Sequence, residues 1–265
     1  DVFVMLGDNV YGDTEDMAVL RAQYEKLGAK PEFRAAADSI PFLATWDDHD
    51  YGANDSGVEY PMKATSKEIM LTFFGEPEDS ERWSHEGIYH AVTLGPEGQR
   101  VQFILLDLRT FRTPLATRER TAREHARAVG PYVPRSKGTM LGTMQWEWLR
   151  GALLEPAEVR IICMSTQFLP EFNGWEAWAN FPHERDRLID LIRTTRAEGV
   201  LFISGDTHWA ELSLEETEGL YPLYDLTSSG LTNVWHAVAP NRNRVVGSYL
   251  GANFGVVEID WSDED

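Results

Sequence analysis

The stretch VFVMLGDNVYGD (residues 2–13) begins with a short apolar run that stops abruptly at Gly7-Asp8. A short apolar run that is bounded by turn residues predicts a buried strand ending in a loop. Two later stretches repeat the pattern, since the apolar residues 40–46 lead into Asp47-Asp48-His49-Asp50 and the apolar residues 200–204 lead into Gly205-Asp206-Thr207-His208. Three predicted strands therefore end in carboxylate and imidazole side chains.

The position of these side chains predicts a shared metal site. In open α/β sheets, ligands bind beyond the carboxyl ends of the strands, and neighbouring strands lie only about 4.8 Å apart. Carboxylate, amide and imidazole donors suit hard and borderline cations. Carboxylates gathered at one sheet edge without partners repel one another, and a bound cation removes that conflict.

Each cluster also has a simpler interpretation. A Gly-Asp pair after a strand is a common turn, the acidic run at residues 47–50 fits a helix cap, and His208 fits a hydrogen-bonded structural histidine. Residues 48–59 resemble a calcium-binding EF-hand loop only in part, because Gly52 and Ala53 stand where an oxygen ligand and a glycine are needed.

Composition excludes several classes of protein. The 265 residues carry 24 Lys and Arg against 43 Asp and Glu, a formal charge of −19, which argues against a nucleic-acid scaffold. The 43% of hydrophobic residues supports a sizeable core, and no run of about 18 apolar residues predicts a membrane span. With Cys163 as its one cysteine, the chain forms no internal disulfide and no zinc site built on cysteines.

Strands alternate with helices early in the sequence and follow one another late, which predicts a mixed α/β layered fold. We expect a single domain over residues 1–265, with an irregular, arginine-rich cap or insertion at 109–140. The predicted helices are residues 17–27, 31–37, 63–74, 144–154 and 182–198. The predicted strands are residues 2–6, 40–46, 88–94, 101–107, 159–165, 200–204, 210–214, 221–226, 245–249 and 254–259.

Five blocks, taken in order, resemble the alkaline phosphatase D-like family of the calcineurin-like metallophosphoesterases. They are Gly7-Asp8-Asn9-Val10-Tyr11, Trp46-Asp47-Asp48-His49-Asp50 with Asn54 following, Asp107-Leu108-Arg109-Thr110-Phe111-Arg112, Met140-Leu141-Gly142 with Gln145 and Trp148-Leu149, and Ser204-Gly205-Asp206-Thr207-His208. Each block alone is weak, whereas their order and spacing over nearly the whole chain are specific.

The resemblance implies a four-layer α/β/β/α sandwich and hydrolysis of phosphate monoesters or diesters with two or more metal ions. Iron with calcium is implied, and the donor types also suit manganese or zinc. By resemblance, Asp8 bridges the metals, and the other expected ligands are Tyr11, Asp48, Asn54, Asp206 and His208. Relatives are usually exported, which implies an extracellular or periplasmic protein. They also carry an earlier strand that ends in a metal ligand. Either residues upstream of Asp1 supply this ligand, which is the expectation that we favour, or the site lacks it.

The sequence supports a specific mechanistic hypothesis, in which a metal-bound hydroxide attacks the phosphate ester. His49 would protonate the leaving oxygen, with Asp47 or Asp50 orienting it, and Arg109 or Arg112 would clamp the phosphoryl group. The catalytic candidates are thus His49, Asp50 and Arg109, and the substrate-binding candidates are Arg112 and Trp209. Salt bridges are the alternative role for the arginines. Three tryptophans, Trp175, Trp178 and Trp209, would wall the pocket and select an apolar leaving group, and core packing is their alternative role.

Two other functions fit the same residues. A calcium-stabilised binding protein without catalysis would keep the metals, and a hydrolase of lactones or carboxylic esters would keep the chemistry but change the substrate. The sequence leaves open the metal identity, the preference for monoesters or diesters, the physiological substrate and the oligomeric state.

Overall fold

The computed structural model describes residues 1–171 and 173–262. The strands of the described residues are β1 (Phe3–Leu6), β2 (Phe42–Thr45), β3 (His90–Leu94), β4 (Val101–Leu105), β5 (Ala116–Thr117), β6 (Tyr132–Val133), β7 (Val159–Met164), β8 (Val200–Ser204), β9 (Ala210–Glu215), β10 (Leu223–Ser228) and β11 (Arg244–Tyr249). The helices are α1 (Met17–Gly28), α2 (Pro31–Ser39), α3 (Asp48–Tyr51), α4 (Lys63–Phe73), α5 (Ala122–Ala126), α6 (Gly142–Leu154) and α7 (Pro182–Thr195), with short 3-10 turns at Glu81–Trp83 and Trp178–Asn180.

A large mixed sheet organises the described residues. Its seven strands follow the order β11-β9-β10-β8-β7-β4-β3, and the pairs β4–β7, β7–β8 and β8–β10 are parallel. The first strand, β1, belongs instead to a separate two-stranded sheet, in which it pairs in parallel with β2 from Phe3 opposite Phe42 to Leu6 opposite Thr45. These pairings confirm a mixed α/β fold.

Three clusters of apolar side chains cover the faces of the two sheets. One cluster joins the large sheet to α6 and α7 through residues such as Ile162, Leu149 and Leu188. A second cluster packs α1 and α4 on the two-stranded sheet, and a third fills the space between the sheets with Cys163 and its neighbours. The four-layer α/β/β/α arrangement stays a prediction, and so does the single domain.

Local sequence signals explain where the helices begin and end. Asp16 caps α1 by accepting a hydrogen bond from the backbone N–H of Ala18, and Pro182 starts α7 with its backbone angle already set. Helix α7 ends at Thr195, earlier than predicted, because Arg196 takes a left-handed conformation with φ of 56°.

One predicted strand is wrong. Residues 254–259 form no regular secondary structure, and Phe254 and Val256 expose 70% and 66% of their surface. This apolar run pairs with none of the strands in the described residues, so its backbone forms no inter-strand hydrogen bonds of a sheet.

The arginine-rich segment at 109–140 contains more order than its sequence predicts. Strands β5 and β6 pair as a small antiparallel ribbon around α5, which Thr121 and Glu124 cap reciprocally. The ribbon docks on residues 174–181, here called the aromatic loop because they include Trp175, Trp178 and Phe181. The backbone N–H of Tyr132 donates to the carbonyl of Gly174 at 2.8 Å. Among all helices in the described part of the chain, none combines the length and apolar character needed to cross a membrane.

Candidate metal centre

The loops after β1, β2 and β8 meet at one point. The ligand atoms of Asp8, Asp48 and His49 all lie within 4.8 Å of one another. From the third loop, Nε2 of His208 approaches Oδ2 of Asp8 to 3.0 Å, and the Tyr11 hydroxyl lies 3.3 Å from each of those two atoms. The structure therefore brings together side chains from all three predicted strand ends.

Two glycines allow the loops to approach this closely. Gly7 has φ of +98°, and a Cβ there would lie 2.4 Å from Cβ of Asp47, so a side chain would push the first two loops apart. At the third loop, a Cβ on Gly205 would lie 2.9 Å from the carbonyl oxygen of Leu6 at the end of β1. Glycine at these positions lets Asp8 face both other loops.

The backbone of the site is strained. Asp8, Asp206 and His208 have φ of 51°, 69° and 61°, a left-handed region that residues with side chains rarely occupy. Such strain costs on the order of 1–3 kcal/mol per residue and concentrates at ligand-binding and catalytic positions. The fold holds these side chains in place at the expense of stability.

The residues at this point fit a cation. Asp8 is buried, and its Oδ1 atom has no hydrogen-bond partner, which is costly for a carboxylate unless a ligand completes it. Burial raises the pKa of Asp8 above its usual range, and the contact with His208 offsets only part of that effect. Burial, together with the charges of nearby carboxylates, also raises the pKa of Asp206. A positive ion would favour the ionised form of both groups.

Asp48 differs because its carboxylate is already held in the charged form. Burial opposes the charge, but the positive charges of Arg109 and His49 and two backbone hydrogen bonds lower the pKa of Asp48 overall. The donors are the N–H groups of His49 at 2.8 Å and Asp55 at 2.7 Å. Asp48 therefore offers the cluster a fixed negative charge.

His49 is held by a carboxylate that the sequence analysis missed. Its Nδ1 atom lies 2.7 Å from Oδ1 of Asp13, so Asp13, and neither Asp47 nor Asp50, contacts the imidazole. The ring also packs against Tyr11, with 4.5 Å between the ring centroids. Burial lowers the pKa of His49, but the carboxylates of Asp48, Asp8 and Asp13 outweigh burial and raise the pKa.

A second group of acids shares Asp48. Carboxylate oxygens of Asp48, Asp55 and Glu176 lie within 4.8 Å of one another. Glu176 is buried and forms ion pairs with Nη1 of Arg109 at 2.7 Å and Nε of Arg112 at 2.9 Å, while Arg109 Nε also contacts Asp47 at 2.7 Å. Both arginines are fully buried in these salt bridges.

The remaining candidates lie apart from the cluster or have other partners. Asp50 is buried and accepts hydrogen bonds from the side chain of Asn9 and the backbone N–H of Asp47. Asn54 is exposed and donates to Asp55 at 2.9 Å. Trp178 and Trp209 are core residues with 0% and 4% exposure. The catalytic, metal-binding and substrate-binding roles assigned from the sequence stay predictions.

Asp13, Asp55 and Glu176 were not predicted as site residues. Asp13 ends the stretch quoted for the first loop and Asp55 directly follows Asn54, so their proximity to the motif residues was a usable signal. Glu176 lies in an aromatic loop far along the chain, where nothing in the local pattern distinguishes it from a surface acid.

Comparisons with known proteins show the family to which the chain belongs. The family model for PhoD-like phosphatases matches residues 1–235. The chain belongs to the PhoD-like phosphatase family. Among curated proteins it is similar to alkaline phosphatase D of Bacillus subtilis (strain 168), with 22% identity over 217 residues that cover 72% of this chain and 35% of that protein.

Solved structures show the same fold. The structure of PhoD matches with a TM-score of 0.67 and 17% identity over 86% of this chain and 51% of that one. The structure of GAP50, the anchor in the inner membrane complex of Plasmodium, matches with a TM-score of 0.53 and 13% identity over 95% of this chain and 68% of that one. The chain thus spans about a third of the length of its curated relative and about half of the PhoD structure.

Proposed function

We propose that this chain hydrolyses phosphate esters with the help of two or more metal ions at the loops after β1, β2 and β8. The observation that carries the proposal is the meeting of Asp8, Asp48, His49 and His208, with a buried oxygen of Asp8 left without a partner. Membership of the PhoD-like phosphatase family supports the same reaction class. The substrate class covers monoesters, diesters or both.

Two sets of donors would hold the ions. Asp8, Tyr11 and His208 form a mixed oxygen and imidazole set, which suits iron or zinc. Asp206 lies in the same loop as His208, two positions before it. Asp48, Asp55 and Glu176 form an all-oxygen set, which suits calcium or manganese, and Asn54 lies next to Asp55. When bound, such cations supply charge neutralisation for the phosphoryl group and activate water for attack.

His49 is the proposed general acid. It contacts the metal cluster on one side and Asp13 on the other, and its raised pKa favours the protonated form that a leaving oxygen needs. A positioned acid of this kind contributes roughly 10²–10⁴ in rate. Asp13 fixes the orientation of the ring, as carboxylates do for catalytic histidines in other hydrolases.

Arg109 and Arg112 act on the site through their carboxylate partners. Their positive charges face Asp47 and Glu176 in a region where several other acids are buried, so they reduce repulsion within the cluster. Arg109 is held by two carboxylates, whereas Arg112 is held by Glu176 and by the backbone carbonyls of Asp55 and Thr113. Either guanidinium reaches a phosphoryl group only after giving up one of these contacts. We therefore propose a supporting role for both arginines.

A chelator experiment tests the proposal against the non-catalytic alternative. The purified protein is assayed with p-nitrophenyl phosphate and bis-p-nitrophenyl phosphate, before and after chelation, alongside elemental analysis and thermal unfolding. A hydrolase loses turnover with its metal and regains it on adding the metal back. A calcium-stabilised binding protein shows only a lower Tm after chelation and has no turnover to lose.

The non-catalytic alternative is retained because a fold does not determine a function. GAP50 is described as an anchor, and its structure matches this chain over 95% of the residues. A parallel panel of lactones and carboxylic esters separates the third possibility: turnover of these substrates with no phosphate release would replace the phosphatase proposal.

A further inference from the structure

An exposed tryptophan lies directly beside the candidate metal ligands. Trp235 leaves 46% of its surface open to solvent, although tryptophan gains a large free energy from burial. Its ring stands edge-on to the imidazole of His208, with centroids 6.4 Å apart and planes at 72°. The backbone N–H of Trp235 donates to the carbonyl of His208 at 3.2 Å, which ties this loop to the metal-binding loop.

A second tryptophan, Trp175, lies beside Trp235, and the two rings form a corner next to the candidate metal ligands. Trp175 is partly buried, and its ring lies 6.4 Å from that of Trp235 at 73°. Trp175 is fixed in place, because its Nε1 atom donates to the carbonyl of Ala128 at 2.8 Å and the guanidinium of Arg120 lies 5.5 Å from its ring centroid. The arginine-rich segment therefore holds one wall of the corner, and the loop after β10 supplies the other.

These two rings differ from the other tryptophans near the site. Trp178 and Trp209 are buried in the core and present no open face, so core packing explains them. Core packing does not explain Trp235, whose ring contacts a candidate metal ligand yet stays open to solvent. An exposed aromatic surface beside a reactive centre is typical of a binding site for an aromatic group.

We propose that Trp235 and Trp175 form the subsite for the alcohol part of the ester, and that this subsite takes a planar aromatic group. The inference rests on the proposed function, because it places the phosphoryl group at His208 and the alcohol beside it. Two rings at nearly a right angle offer one face for stacking and one edge for a T-shaped contact. A saturated ring of the same size makes neither contact well, so the subsite discriminates by planarity.

Binding of two phosphonates tests the subsite without any dependence on turnover. Phenylphosphonate and cyclohexylphosphonate have similar size and the same charged head, and neither has a leaving group. Calorimetry on the metal-loaded protein gives Kd for both, and we expect the phenyl compound to bind at least about fivefold more tightly, since ring stacking on aromatic side chains is worth ~1–3 kcal/mol.

Variants assign the preference to the ring. Trp235→Leu is expected to reduce the phenyl preference to about onefold to twofold, and Trp235→Phe to retain most of it, because phenylalanine keeps an aromatic face. Trp148→Leu is the matched control, because Trp148 lies on α6 and its ring packs against Tyr89. We expect this substitution to leave the ratio of the two Kd values unchanged. Since Trp235 is exposed, both of its variants are expected to keep the parent Tm within a few degrees.

The outcomes separate this inference from the proposed function. Equal binding of the two phosphonates by the parent protein, an unchanged ratio in Trp235→Leu, or no binding of either phosphonate overturns the subsite. Turnover of phosphate esters in the same preparation then still supports the hydrolase. A ratio that depends on Trp235 without turnover of any phosphate ester shows a binding site for an aromatic group but overturns the hydrolase, and with it the role of this site in binding the alcohol part of an ester.

Discussion

The Nε2 atom of His208 lies 3.0 Å from Oδ2 of Asp8, although 200 positions separate the two residues along the chain. The contact joins the loop after the first strand of the small sheet to the loop after a central strand of the large one. A contact between residues this distant in sequence forms only when both sheets are folded, so the geometry of the site depends on the whole fold.

Replacing Asp8 with asparagine removes one charge while keeping the shape of the side chain. We expect Asp8→Asn to weaken metal binding by at least about 100-fold and to reduce phosphatase activity with it, because ligand and supporting groups at metal sites each contribute on this scale. Elemental analysis after dialysis and the p-nitrophenyl phosphate assay measure the two effects. Asp38→Asn, an exposed substitution on α2, is the control. Full metal content with full activity in Asp8→Asn would contradict the assignment.

The contact between His49 and Asp13 makes a separate prediction about rate. We expect Asp13→Asn to lower kcat by about 10–100-fold with little change in KM, because the imidazole loses its orienting carboxylate but the metal cluster is intact. The loss should be greatest for esters with poor leaving groups, which depend most on protonation.

Glu15→Gln serves as its control, since Glu15 is an exposed acid two positions away in the chain. An equal loss for good and poor leaving groups would assign Asp13 to folding of the loop instead of to proton transfer. Steady-state kinetics on p-nitrophenyl phosphate and an alkyl phosphate distinguish the two cases.

The sequence predicted the meeting of Asp8, Asp48 and His208 because a turn residue and an acid after an apolar strand are local signals. It also predicted most strands and helices close to their observed bounds. The reasoning assumed neighbouring strands in one sheet, whereas the structure places β1 and β2 in one sheet and β8 in another. Convergence still holds, because the carboxyl ends of the two sheets meet where Gly205 passes Leu6.

Sequence patterns could not predict the contacts between loops that are distant along the chain. Glu176 meets Arg109 and Arg112 only after the aromatic loop folds back across the site, and no periodicity encodes that path. Trp235 was overlooked for the same reason, since its loop has no regular pattern. Residues 254–259 show the opposite error, in which an apolar run predicted a strand that has no partner.

The buried ion pairs of Arg109 predict a large effect on stability. Replacing this residue with methionine leaves Asp47 buried without its cation and leaves Glu176 with Arg112 alone. Breaking a buried pair in this way typically costs about 3–5 kcal/mol, so we expect a loss of that size. Urea unfolding measures the loss. Arg150→Met, on an exposed position of α6, is expected to change the free energy of unfolding by less than about 0.5 kcal/mol. A change below about 1 kcal/mol in Arg109→Met would contradict the structural role of these ion pairs.

His90, at the start of β3, predicts how stability depends on pH. Burial, with help from the charge of Arg82, lowers the pKa of His90 to about 3. In the unfolded chain a histidine takes up a proton below about pH 6.5, so protons favour unfolding as the pH falls from 6.5 towards 3. The stability that the neutral imidazole contributes is complete above pH 6.5, and about 2 kcal/mol of it is lost at pH 5.

The variant His90→Gln has no proton to gain at this position. When the pH falls from 7 to 5, we therefore expect the parent protein to lose about 2 kcal/mol more of its free energy of unfolding than the variant loses. This holds whatever the difference in stability between the two proteins at pH 7. Urea unfolding at the two pH values gives the difference directly. His125→Gln, an exposed substitution on α5, should follow the parent protein at both pH values. Identical pH dependence in the parent protein and His90→Gln would mean that His90 is protonated in the folded state as readily as in the unfolded chain.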